Sequence, residues 1–224
     1  MKKVFLKDLM EFSVKSLLAA GLCPEDAATA AEALITTDTF GVITHGTKNL
    51  NQYIQKMEAG GLDAKAVPTI VCEGPAFAII DGQKAIGMVS AFKAMNLAIK
   101  KAKEVGIAYV GVRNSCHFGA AGYYANLAAS QGLLGISVSN ADPVMAAPNG
   151  SRKAIGTNPF AFAAPLGNGK SVFLDVALSN VAALKVIMAK EKGMEIPNTW
   201  LVDEDGLPTS DASLFPQKAS LQPM

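Results

Sequence analysis

The chain has 224 residues, 50% of them hydrophobic and 17% charged, which marks a globular protein with a sizeable core and excludes a disordered one. With 20 basic and 19 acidic residues the formal net charge is +1, so charge gives no case for nucleic acid or an anionic membrane as partner. The three cysteines, Cys23, Cys72 and Cys116, lie far apart, and with only two histidines neither a disulfide framework nor a metal site is expected. No apolar run reaches the ~20 residues that span a bilayer. Lys7 and Asp8 interrupt what would have to be a signal peptide, so a cytoplasmic location is expected.

"KDLMEFSVKSLLAAG" places Leu9, Phe12, Val14, Leu17 and Leu18 near helical spacing and stops at Gly21. Pro24 suits the first turn of a second helix, "PEDAATAAEALITTDTF", with Glu25 and Asp26 favourable at its N-terminal dipole. "TKNLNQYIQKMEAGG" reads as a third helix, closed by Gly60 and Gly61. From Thr69 the texture changes. "TIVCEG" and "AFAIIDG" are strands, "MVSAFKAMNLAIKKAKEVG" a long amphipathic helix and "IAYVGVRN" a strand. A helix ("GYYANLAASQG"), a strand ("LLGISVSN"), a loop rich in Pro, Asn and Gly, two strands ("FAFAAP", "SVFLDVA") and a helix ("NVAALKVIMAKEKG") follow. The alternation predicts an α/β (α+β) layer structure with crossovers. The expected division is a helical segment over 1–68 and an α/β domain over 69–224.

His117 stands where a strand hands over to a helix, in "RNSCHFGAAGYY". The positive end of that helix would pull its pKa down, and a neutral imidazole there can donate or accept a proton or polarise a carbonyl. Gly119 and Gly122 would let a ligand or another backbone approach closely. The ordinary alternative is a histidine merely hydrogen-bonded in a loop. His45, in "GVITHGTKN", falls between two helices, where a cap or a packed polar residue is the common role. Asp175 ends an apolar strand, where a buried carboxylate is costly unless paired; it serves equally as a helix cap. "GTNPFAFAAP" reads as an Asn-Pro turn in which Thr157 and Asn158 could orient a ligand. No G-x-G-x-x-G follows a strand, so the Rossmann fingerprint is missing, as are the P-loop, G-x-S-x-G and H-E-x-x-H.

"THG" at 44–46, "NSCHFGAAGYY", "SNADPVMAAPNG", "IGTNPFAFAAP", "FLDVALS" and "IPNTWLVDEDGLPTSD" occur in one order along nearly the whole chain. In that order they resemble the malate/L-lactate dehydrogenase family of NAD(P)-dependent oxidoreductases, which lacks a Rossmann fold. The resemblance implies a mixed-sheet α/β domain behind an N-terminal helical one, NAD or NADP as cofactor, and interconversion of 2-hydroxy and 2-oxo acids, with a small-molecule substrate and a homodimer. It implies His45, with Thr44 and Asp175, as an acid held by a carboxylate, or else His117 as the acid/base; both remain open. Thr157 and Met145 would line the substrate pocket, with Lys48 and Asn49 near it. Gly119, Asn140, Ala141, Asp175, Val176 and Ala177 would contact the cofactor.

Two departures stand out. Relatives usually carry an arginine four residues after the histidine of the "HG" motif, as a carboxylate anchor; here that residue is Asn49, and Lys48 is the nearest cation. Relatives also continue past "LPTSD" into a glycine-rich "KGYG"-type segment, whereas this sequence stops at "SLQPM". A C-terminally truncated chain is therefore expected, either an incomplete enzyme or a non-catalytic homologue that keeps a scaffold or a dimer surface.

Overall fold

The computed structural model describes residues 3–224. In chain order it contains α1 (Leu6–Ala19), α2 (Pro24–Thr39), α3 (Leu50–Glu58), β1 (Thr69–Gly74), β2 (Phe77–Asp81), α4 (Gly87–Val105), β3 (Tyr109–Arg113), α5 (Ala121–Ser130) and β4 (Gly135–Val138). β5 (Met145–Ala146), β6 (Lys153–Ile155), β7 (Phe160–Gly167), β8 (Lys170–Val176), α6 (Ala183–Glu191), β9 (Leu201–Asp203), β10 (Pro208–Thr209) and β11 (Ala219–Leu221) follow. The class is α/β, as the alternation predicted, with the mixed sheets that the family resemblance implies. Among the described residues no helix is long and apolar enough to cross a membrane.

The chain forms two compact units, Met1–Gly135 with Phe162–Phe173, and Ile136–Ala161 with Leu174–Met224. This differs from the division expected at residue 68. The reason is the first unit's core, which joins Leu17, Leu34 and Tyr53 of the helical segment to Met88 of α4 and Tyr124 of α5. α2 supplies the close approach: Ala27, Ala30, Ala31 and Ala33 are at most 2% exposed, so neighbouring elements pack against its backbone. On α1 the inward stripe runs through Ser13 and Leu17, both 0% exposed. Phe12 and Leu18, expected inside, flank that stripe and face outward at 62% and 39% exposure.

β1 and β2 form an antiparallel pair, and β2 runs parallel to β3, with α4 as the crossover that parallel strands require. α4 ends at Gly106, whose φ of 91° is the left-handed cap that glycine adopts without strain. β7 and β8 are joined by Asn168 and Gly169 at φ 54° and 68°. Positive φ at both central residues is what a type I′ hairpin turn demands, and Asn-Gly is its preferred pair. β4, β7 and β8 are neighbours in one sheet in that order.

The second unit is organised on a five-stranded sheet of order β10-β9-β11-β5-β6. β11 lies parallel to β5 and antiparallel to β9. Met145, Val186, Leu201, Phe215 and Leu221 form its core.

Candidate active site

After α2 the chain turns back on itself through the segment that carries His45. Several contacts hold this turn. The His45 N–H donates to Val42 O at 3.0 Å. The Thr44 hydroxyl and His45 Nδ1 are 2.9 Å apart. The Asn49 amide, on a residue 8% exposed, donates to Thr44 O at 2.9 Å. Asp38, at the end of α2, accepts from the Thr47 N–H at 3.1 Å and from its hydroxyl at 2.5 Å. That carboxylate also explains the glycine of the "HG" pair, since a Cβ on Gly46 would sit 1.8 Å from Asp38 Oδ1.

His117 arrives from the other side of the same unit, four residues after β3. Its backbone rests on the first residue of α4: a Cβ on Gly87 would lie 2.5 Å from both Cys116 O and His117 O, so glycine is needed there. The Gly87 N–H donates to Cys116 Sγ at 3.2 Å. His117 Nδ1 lies 2.5 Å from the hydroxyl of Tyr53 on α3 and 3.4 Å from the Gly119 N–H. Tyr53 is 2% exposed, whereas His117 keeps a face open to solvent.

The two imidazoles stack, with centroids 5.5 Å apart and planes at 30°. The packed side of the His117 ring loses water, and this pushes its pKa down to about 4, with help first from His45 and then from Lys56. The direction is the one expected from the sequence, with burial as its main cause. Burial raises the Tyr53 phenol well above its ordinary pKa, so the hydroxyl stays protonated. Cys116 is likewise held up by burial and remains a thiol at neutral pH.

The first unit thus brings together His45, Thr44, Asn49, His117 and Gly119 of the expected site residues, with Lys48 exposed on the turn. It adds Tyr53, Lys56 and Asp38, which the sequence reading passed over. The one available signal was helical spacing: Tyr53 shares an inward face with Leu50 on α3, which reads as plain core.

The other expected residues belong to the second unit. Asp175 and Val176 end β8, with Ala177 next, all partly buried. Ala141 donates to Asn158 Oδ1 at 3.0 Å, beside the exposed Asn140. A Cβ on Gly156 would lie 2.1 Å from Ala141 O, so these two loops pack backbone on backbone. Thr157 is partly buried and its carbonyl accepts from the Leu178 N–H at 2.7 Å. Met145, expected on a substrate pocket, is 2% exposed inside the second core, where β5 packs it among Val186, Leu201 and Leu221. Among the described residues no group of three or more His, Cys, Asp or Glu is placed to hold a metal ion.

A family model described as malate/L-lactate dehydrogenase matches residues 4–224. The chain belongs to that family. It is 40% identical over 217 residues to a malate dehydrogenase of Pyrococcus abyssi, covering 97% of this chain and 60% of the relative. It is 37% identical over 209 residues to a ureidoglycolate dehydrogenase (NAD(+)) of Escherichia coli O157:H7, covering 93% and 60%. The crystal structure of a malate dehydrogenase from Entamoeba histolytica superposes with a TM-score of 0.94 at 33% identity, over 99% of this chain and 63% of that one. This member of the malate/L-lactate dehydrogenase family therefore spans about three-fifths of the length of the relatives it matches.

Proposed function

We propose that the chain carries the proton-handling part of an NAD(P)-dependent oxidoreductase that interconverts a 2-hydroxy acid and a 2-oxo acid. The observation that carries this reading is the stacked pair of His45 and His117, each tied at Nδ1 to a hydroxyl partner. Reduction of a carbonyl needs a proton source and a donor that polarises the oxygen, and two oriented imidazoles can divide those tasks.

Named relatives use NAD(+) or NADP(+), and a nicotinamide cofactor is assigned here on that ground. Next to the imidazoles runs the buried segment Gly119–Ala120–Ala121, with Gly119 at φ 82°, a left-handed conformation that glycine adopts without strain. Gly119, Asn140, Ala141, Asp175, Val176 and Ala177 are the residues that the family resemblance assigns to NAD or NADP. When bound, that cofactor supplies or accepts a hydride at its nicotinamide C4. His45 moves the proton at the substrate oxygen, and His117 donates a hydrogen bond to the same oxygen. A homodimer and a cytoplasmic location go with this reading.

The test is titration of the purified protein with NADH and NADPH, read by nicotinamide fluorescence, followed by assay of cofactor oxidation with a panel of 2-oxo acids. Binding of either cofactor and turnover of at least one acid is the expected result. A folded protein that binds neither is the non-catalytic scaffold instead.

Substrate choice turns on Asn49. Its amide is committed to Thr44 O, so the carboxylate anchor falls to Lys48, a point charge. Asn49→Arg offers a fork that grips a carboxylate with two charge-assisted bonds worth roughly 2–3 kcal/mol, against roughly 1 kcal/mol for the amide bond lost. The expected net is a rise of about fivefold or more in kcat/KM for pyruvate. A flat ratio, with Lys48→Ala abolishing turnover, would show that Lys48 already holds the carboxylate.

A further inference from the structure

We infer that Tyr53 is a positioning residue for His117: its buried hydroxyl donates to Nδ1 and fixes the imidazole with its proton on Nε2. The short contact between Tyr53 and Nδ1 does not by itself give the direction, because a hydroxyl and an imidazole nitrogen can each donate or accept. The second contact does. The Gly119 N–H can only donate, and it points at the same Nδ1 from 3.4 Å. A proton on Nδ1 would face that N–H hydrogen to hydrogen. Nδ1 is therefore bare, the Tyr53 hydroxyl supplies the hydrogen at 2.5 Å, and the ring proton sits on Nε2.

The surroundings hold this arrangement. Tyr53 is 2% exposed, so water does not compete for its hydroxyl. The charged and titratable groups around the ring are Lys56, one turn beyond Tyr53 on α3, His45 from its own turn, and Cys116 on the same segment. Lys56 and His45 both oppose a positive imidazole, and Cys116, a thiol, adds no charge to favour one. His117 is thus a neutral ring in one tautomer, whose Nε2–H is a hydrogen-bond donor. Its use on a substrate oxygen rests on the dehydrogenase reading; the tautomer does not.

The test labels the histidines with 15N and records long-range proton–nitrogen correlations at pH 7.5. With only two histidines in the chain, the signals of His117 are identified by a His45→Gln variant. The expected pattern for His117 is a protonated Nε2 and a bare Nδ1. In Tyr53→Phe the neutral ring loses the hydroxyl donor while the Gly119 N–H remains, so the proton stays on Nε2 and the titration midpoint rises by roughly 0.5 to 1 pH unit. Replacing tyrosine by 3-fluorotyrosine, whose hydroxyl is a stronger donor, moves the midpoint the other way and serves even where Tyr53→Phe fails to fold. A proton on Nδ1 in the wild-type protein would overturn the inference, as would a midpoint that neither change moves. None of these measurements needs cofactor or substrate, so a failure of the dehydrogenase reading leaves their outcome unaffected.

Discussion

His45→Ala is expected to lower kcat by about 10²-fold or more, the loss that follows removal of a general acid. On the proposed reading His117 is not that acid. At pH 7 it is neutral, with its pKa pushed down to about 4, and a neutral imidazole that gives up its Nε2 proton becomes an imidazolate. Tyr53 does not make good that proton from behind, because its phenol is held well above its ordinary pKa and a buried phenolate would result. On the proposed reading the proton comes from another group, and His45, with its ring centroid 5.5 Å away and its Nδ1 beside the Thr44 hydroxyl, is the candidate. The check is steady-state kinetics of His45→Ala and His117→Ala side by side. His117→Ala removes the proposed polarising hydrogen bond and is expected to lose less of kcat than His45→Ala. Turnover in His45→Ala equal to the wild type would hand the proton transfer to His117.

The longer elements were legible because each carries its own local signals. α2 has Pro24 and two acidic residues in its first turn, and α4 is long, periodic and stopped by Gly106. The strands of the second unit were not legible. β9, β10 and β11 have three, two and three residues, too short for alternation to show, and their pairing is a matter of tertiary contact. The site was half legible. Both histidines stand out because glycine and polar neighbours surround them in sequence. Tyr53 does not, because a tyrosine on the inner face of a helix looks the same whether its hydroxyl is idle or bonded 64 residues away. Met145 shows the converse. A motif placed it near substrate, but a methionine between short strands packs wherever the core has room, and here that is among Leu201, Phe215 and Leu221.

Leu34→Ala is expected to cost about 3–5 kcal/mol, the upper part of the range for buried leucines. Leu34 is 0% exposed on α2, and the loss has two parts: the transfer of the removed methyl groups and the void they leave. How much of the void persists depends on whether the neighbours can fill it. Of the other buried positions of α2, Ala27, Ala30, Ala31 and Ala33 have no rotamer with which to reach into a space, and Ile35 and Thr37 are β-branched and stiff at χ1. Filling it would take a shift of α2 itself, which its close packing in this core opposes. The measurement is the denaturant midpoint at constant slope, with circular dichroism to establish that the variant is folded. A loss under about 1 kcal/mol would mean that α2 moves inward. In that case the His45 turn, which Asp38 ties to the end of the same helix, would move with it, and His45 and His117 would show altered chemical shifts.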